Sequence, residues 1–309
     1  MERELIAWLR RHLPSHPCLR LGAGDDAAIL HLAQKADAVV TADLLAEGAH
    51  FLLGEATPRQ VGYKALAVNL SDLAAMASKP VAVVVALLLP RSGALQLAVD
   101  VITGMLPLAA RFEVAIAGGD TNTWDGPLVV SVTAIGETTP HGPWCRRGAR
   151  PGDRLLVTGT LGGSRLGHHL NFEPRVGEAL LLSEKYEIHA AIDLSDGLAT
   201  DLRHVVEQSG CGAEVLLPAI PISAAARRLA AMEDDAQADV RHALCDGEDF
   251  ELLLAVAPRE AERLLVDQPL DVPLCDVGRF VDEAGLWQVD ADGQRRELSE
   301  TGFEHRADP

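Results

Sequence analysis

The chain has 309 residues and a formal net charge of −18, long enough for two domains with their own cores. That acidity argues against nucleic acid or an anionic membrane surface as partner. None of its four lysines sits in a G-x-x-x-x-G-K-[ST] loop, so a Walker-type nucleotide site is excluded. Five scattered cysteines without a C-x-x-C pair suit a reducing compartment and exclude a disulfide scaffold or zinc site.

Residues 2–11 read as an amphipathic helix without signal-peptide shape, so a cytoplasmic protein is expected. Leu21-Gly22-Ala23-Gly24-Asp25-Asp26 follows. It lacks the third glycine of a dinucleotide fingerprint, and its paired acids would repel pyrophosphate unless metal intervened. A strand is expected over 38–41, running into Thr41-Ala42-Asp43. His50 lies after Glu47-Gly48-Ala49, and is either a donor to a substrate phosphate or a surface histidine.

A helix is expected over 58–77, with Thr57 as N-cap and Pro58 at its first position. Val61, Ala65, Val68 and Asp72 share one face, which puts Asp72 at the end of a buried apolar stripe. A carboxylate there needs a cation or a strong donor, since burying it alone is costly. The run 81–89 is too short to span a membrane and reads as a buried strand. A helix over 95–111 and a strand over 114–117 lead to Gly118-Gly119-Asp120. This segment is placed at a strand's carboxyl end, where α/β proteins bind ligands.

After a strand over 128–136, residues 139–153 are rich in proline and glycine and mark a linker between domains 1–138 and 154–309. Arg146, beside Arg147, is either a solvated linker residue or a clamp for a nucleotide phosphate. Further strands are expected over 154–158, 214–217, 250–256 and 274–278, with helices over 197–209 and 223–232. Gly159, Gly162 and Gly163 read as a strand-to-helix turn. Asp193-Leu194-Ser195-Asp196-Gly197 precedes a helix; Ser195 and Asp196 either cap it or serve a ligand. Asp246-Gly247-Glu248-Asp249 is the last acidic segment.

Strands alternating with helices indicate an α/β fold. Glycine permits close backbone approach to a ligand and aspartate offers hard oxygen to Mg²⁺. If the six acidic segments converge, they form a site for a polyphosphate bridged by several Mg²⁺ ions. Two unit charges ~5 Å apart repel by roughly 3 kcal/mol at an effective dielectric of ~20, so such a cluster calls for metal or protons.

In this order the segments resemble the thiamine-monophosphate kinase family, in the superfamily that also holds aminoimidazole ribonucleotide synthetase. The resemblance runs from Leu21-Gly22 to Gly302-Phe303-Glu304-His305. It is most specific at 64–76, from Lys64-Ala65-Leu66 through Asn69-Leu70-Ser71-Asp72 to Met76, and at 191–198 and 247–252. It implies a two-domain α/β protein of the aminoimidazole ribonucleotide synthetase-like fold, its amino-terminal sheet forming a barrel across a homodimer.

The implied activity is ATP-dependent conversion of thiamine phosphate to thiamine diphosphate with Mg²⁺, without covalent nucleophile or general base. Metal ligands would fall on Asp26, Thr41, Asp43, Asp72, Asp120, Asp193 and Asp196. ATP contacts would fall on Gly119, Asp120, Arg146 and Ser195, and substrate contacts on His50, Glu248 and Phe303, the last by stacking on the thiamine rings. Two departures stand out: Ala42 replaces a frequent hydroxyl residue, and Asp246 stands where small residues are common. The rivals are a hydrogenase-maturation carbamoyl dehydratase, a selenophosphate synthetase, or a non-catalytic Mg-nucleotide-binding protein. The first ends in a reactive cysteine, whereas this sequence ends Arg306-Ala307-Asp308-Pro309. The second uses an early cysteine, and Cys18 lacks the expected lysine context.

Overall fold

A computed structural model describes residues 36–233, 235 and 237–303, together with the backbone of strands 19–21 and 28–30. The helix expected over 2–11 and the motif at 22–26 lie outside these residues.

Helix α1 (Pro58–Ala75) starts where the sequence places it. Thr57 accepts from the Gln60 amide while the Gln60 side chain accepts from the Thr57 amide, and Pro58 fills the first turn. The expected single apolar stripe is too narrow a picture. Lys64, Asn69 and Ser71 are buried along with the apolar residues, so beyond its exposed first turn the helix is enclosed on every side. One side lies on strands β3 (Ala38–Ala46), β4 (Ser78–Pro90) and β6 (Val129–Thr138). Elsewhere it meets helix α2 (Ala94–Arg111), helix α3 (Val176–Lys185) and strand β8 (Ala190–Asp193).

Helices α1 and α2 touch backbone to backbone. A Cβ on Gly62 would lie 1.8 Å from the Val101 carbonyl oxygen, and one on Gly104 would lie 1.9 Å from that of Arg59. By length and mean hydropathy (1.3 over 18 residues) α2 has the composition of a membrane span; here its Val101, Met105 and Leu108 are buried in the core.

The first sheet has the order β1-β2-β3-β6-β4-β5, with β1 (Leu19–Leu21), β2 (Ala28–Leu30) and β5 (Ala115–Trp124). Neighbours are antiparallel except β4 and β5, the parallel pair that α2 joins. The sheet is open, with β1 and β5 at its edges, so the barrel is not closed within one chain. Strand β5 also corrects an expectation. It runs through Gly118-Gly119-Asp120 to Trp124, so this segment lies inside the strand and not beyond its end.

No helix or strand occurs between Thr138 and Arg154. The second sheet then follows the order β13-β12-β9-β11-β7-β10-β8. It contains β7 (Arg154–Thr158), β9 (Gly212–Leu216), β10 (Leu252–Val256), β11 (Leu274–Val281), β12 (Gly285–Val289) and β13 (Arg295–Glu297). Side-chain alternation divides β10 between two cores. Leu252, Leu254 and Val256 join the core around α1, while Leu253 and Ala255 join that of helix α4 (Leu198–Ser209). Helices α5 (Ala224–Ala230), α6 (Ala238–Cys245) and α7 (Pro258–Asp267) complete the second half.

Gly62→Ala tests the helix contact. Propensity alone favours alanine by ~1 kcal/mol, but overpacking against a backbone oxygen costs ~1–3 kcal/mol. The Cβ would lie well inside contact distance of a backbone oxygen, so the clash wins, and urea unfolding should show a net loss of up to about 2 kcal/mol. A variant as stable as wild type would refute the close approach.

Candidate active site

Strand β3 turns Val39, Thr41 and Leu45 inward, with Asp43 half-buried on the same face, and Ala42 and Leu44 outward. Thr41 Oγ1 donates to Asp72 Oδ2 near the end of α1, the strong donor that Asp72 requires. Ala42 opposes Thr133 on the other face, so the missing hydroxyl takes nothing from the Thr41–Asp72 contact.

Strand β8 delivers Asp193 from the second sheet. Its carboxylate is 2% exposed and accepts from Ser71 Oγ at 2.6 Å. The loop then turns into α4 at Gly197, the N-cap residue, which has no side chain to cap the helix. The acid that serves the helix start is Asp201, which accepts from the Asp196 amide at 3.0 Å. Burial first, then the charges of Asp196 and Asp193, push the Asp201 carboxyl well above the usual carboxylate range; the Asp196 amide and Arg146 pull the other way. Arg146 thereby belongs to the electrostatic surroundings of this loop. Its carbonyl accepts from Ser209 Oγ at 3.3 Å, and the same hydroxyl accepts from the Gly148 and Ala149 amides.

The main chain of the loop holds two other segments. The Leu194 carbonyl accepts from the Phe250 amide at 2.8 Å, that of Ser195 from Glu248 at 2.7 Å, and that of Asp196 from Phe303 at 3.0 Å. A Cβ on Gly302 would sit 1.8 Å from the Asp196 oxygen, so only glycine lets the Phe303 segment come this close. The Phe303 side chain remains 51% exposed.

His50 Nδ1 accepts from the Ala46 amide at 3.0 Å, which leaves the neutral ring's proton on Nε2 as a donor. Lys64, missed as a site residue by sequence reasoning, donates to the His50 carbonyl at 3.1 Å and ion-pairs with Glu248. It brings together the two residues expected at the substrate.

Convergence is partial. Asp120 lies exposed on the edge strand, accepting from the Thr121 amide at 2.8 Å. Gly119 has a structural duty, because a Cβ there would meet the Val85 carbonyl oxygen at 1.7 Å. Asp26 lies outside the described residues. Among the described residues, no three His, Cys, Asp or Glu side chains stand close enough to hold a metal ion. The acids of the last segment are engaged in structure: Asp246 accepts from the Gly163 amide at 2.8 Å, and Asp249 from that of Gly162 at 2.9 and 3.0 Å. Gly162 and Gly163 adopt φ of 84° and 76°, forming the expected turn.

Residues 24–138 match the AIR synthase related protein N-terminal domain, and 160–286 match the C-terminal domain. A curated thiamine-monophosphate kinase from Rhodopirellula baltica is 41% identical, over 99% of this chain and 97% of the relative. The chain belongs to the thiamine-monophosphate kinase family. A structure described as AaThiL complexed with AMPPCP and TMP superposes with a TM-score of 0.85 at 27% identity, covering 99% of this chain and 97% of the other. Thiamine-monophosphate kinase from Stenotrophomonas maltophilia gives 0.74 at 34% identity, with 94% and 95% covered. The family's two-domain fold thus accounts for both sheets described above.

Asp249 gives a pH test of this half of the site. Burial first, then the charges of Glu251, Asp246 and Glu248, hold its carboxyl well above the ordinary range, opposed by the Gly162 amide. A raised folded-state value contributes stability at low pH and loses it as pH climbs from about 4, the unfolded value, through the folded one. Asp249→Asn does not titrate, so its melting temperature should exceed wild type at pH 8 and the gap should shrink toward pH 4. A gap that stays constant or narrows as pH rises would contradict the assignment.

Proposed function

We propose that this protein transfers the γ-phosphoryl group of ATP to thiamine phosphate, giving thiamine diphosphate and ADP. The observation that carries the reading is the loop 193–196, whose acidic side chains and main-chain carbonyls serve different segments. Asp193 and Asp196 belong to an acidic group with Asp201, while Ser195 and Asp196 carbonyls carry Glu248 and Phe303. The AMPPCP of the AaThiL complex supports ATP as donor, and the thiamine-monophosphate kinase relatives support the acceptor.

The acceptor is already an anion, so in-line transfer needs neither a general base nor a covalent nucleophile. The donors suit Mg²⁺ in kind, being carboxylate and hydroxyl oxygens, and burial followed by the charges of Asp196 and Asp193 raises the neighbouring Asp201. Thr41, Asp43, Asp72, Asp193 and Asp196 would hold the metal, with Asp26 and Asp120 completing the set. Bound magnesium supplies charge neutralisation between the two anionic substrates. Arg146 and Ser195, with Gly119 and Asp120, are assigned to ATP. His50 Nε2 donates to the acceptor phosphate. Phe303 offers a ring face to a cationic thiazolium, worth roughly 0.5–2 kcal/mol.

The same reading includes a homodimer. The face of the first sheet opposite α1 is uncovered, with Leu44 57% and Val84 41% exposed and Ala86 beside them. Pairing of this face and the β5 edge with a second copy would enclose it. A cytoplasmic location accords with the thiols of Cys211, Cys245 and Cys275.

ADP release should depend on thiamine phosphate. Asp72→Asn and Asp193→Asn should lower kcat by at least about a hundredfold with the fold retained by circular dichroism, and Phe303→Ala should raise the acceptor KM by up to about thirtyfold. Near-normal turnover of either Asn variant would reject the metal assignment, and an unchanged acceptor KM would reject stacking. For the dimer, sedimentation should give twice the chain mass for wild type and a monomer for Leu44→Glu/Val84→Glu; a wild-type monomer would end that part of the reading.

A further inference from the structure

Lys64 is 1% exposed, although lysine is almost never buried this fully unless paired. Its partners come from opposite halves of the chain. The His50 carbonyl belongs to the turn after β3, and Glu248 to the loop before β10, 184 residues away. A buried ion pair is weak evidence for stability, since apolar residues of similar volume often do as well. Packing alone therefore does not account for a charge at this position.

Glu248 is otherwise pinned at its main chain. Its amide donates to the Ser195 carbonyl and its φ is 55°. What freedom remains lies in the side chain, and Lys64 removes it. With Glu248 assigned to the acceptor, its charge opposes an anionic phosphate, and the Lys64 ammonium offsets that charge from the buried side.

We propose that Lys64 is a positioning residue for the phosphate acceptor, fixing the Glu248 carboxylate and the His50 main chain as one unit and neutralising Glu248 toward an anionic substrate. The inference rests on the assignment of His50 and Glu248 to the acceptor.

The test is steady-state kinetics with thiamine phosphate and ATP on full-length Lys64→Met, Glu248→Ala and Lys64→Met/Glu248→Gln, with melting curves for each. Lys64→Met should raise the acceptor KM about ten- to a hundredfold, less than the loss of a fully buried partner because Glu248 is 31% exposed, while the ATP KM stays within twofold. The double variant, with no charge left unpaired, should recover part of that loss. An acceptor KM within twofold of wild type, an equal rise in both constants, or a double variant worse than Lys64→Met would overturn the proposal. If Lys64→Met does not fold, Lys64→Arg keeps the charge but moves its donors, and the same split between the two constants decides. Should Glu248→Ala leave the acceptor KM unchanged, the underlying assignment fails and this inference with it. Should Glu248→Ala raise that KM while Lys64→Met does not, only the role of Lys64 is refuted.

Discussion

Beyond its first turn, helix α1 has no exposed residue, so each polar group it carries there must look to whatever packs around it for a partner. Leaving a buried donor or acceptor unmade costs about 1–3 kcal/mol. Asn69 meets it only in part: its Nδ2 donates to the Ala65 carbonyl at 3.0 Å, while its buried Oδ1 has no hydrogen-bond partner among the described residues. Lys64, Ser71 and Asp72 solve it by reaching outward, to Glu248 and His50, to Asp193, and to Thr41. Alanines 65, 67, 74 and 75 and Gly62 keep the helix slim enough to be enclosed. The polar contacts thus set how the two sheets stand relative to one another, and the acidic residues take their places from that.

The loop after β8 shows how little chain is needed to combine two tasks. Its side chains contribute Asp193 and Asp196 to a negatively charged group with Asp201, while successive carbonyls hold Phe250, Glu248 and Phe303. A shift of the loop backbone would move both sets together. A side-chain change at Asp193 or Asp196 leaves the carbonyl contacts in place.

Much of this was legible in the sequence. The Thr57-Pro58 start of α1 and the apolar run of β7 are local signals, and the order of the acidic motifs carries the family. Other features depend on partners that no local window contains. Strand β5 continues through Gly118-Gly119-Asp120-Thr121-Asn122 because the parallel partner β4 supplies its pairing, a tertiary effect that overrides weak strand propensity. Helix α7 leaves a thin local signal, with Pro258 at its first turn and only Ala261 and Leu264 buried. Strand β8 is four residues, too short to show alternation. Nothing in the local sequence marks Asp201 and Lys64 as buried; the fold encloses both.

Two residues of the 246–250 loop lie in the left-handed region without being glycine: Glu248 at φ 55° and Phe250 at φ 52°. Each conformation costs roughly 1–2 kcal/mol relative to a right-handed one, and glycine would adopt it freely. Phe250 offsets that cost by stacking on Phe172, centroids 3.9 Å apart and planes at 14°. At Glu248 the demands conflict. Glycine would relax the backbone but strand the Lys64 ammonium, and aspartate tolerates the conformation but is one methylene too short for the same reach. A change at either end of the pair strands the other end, so in this chain substitutions at positions 64 and 248 are expected to be tolerated only together.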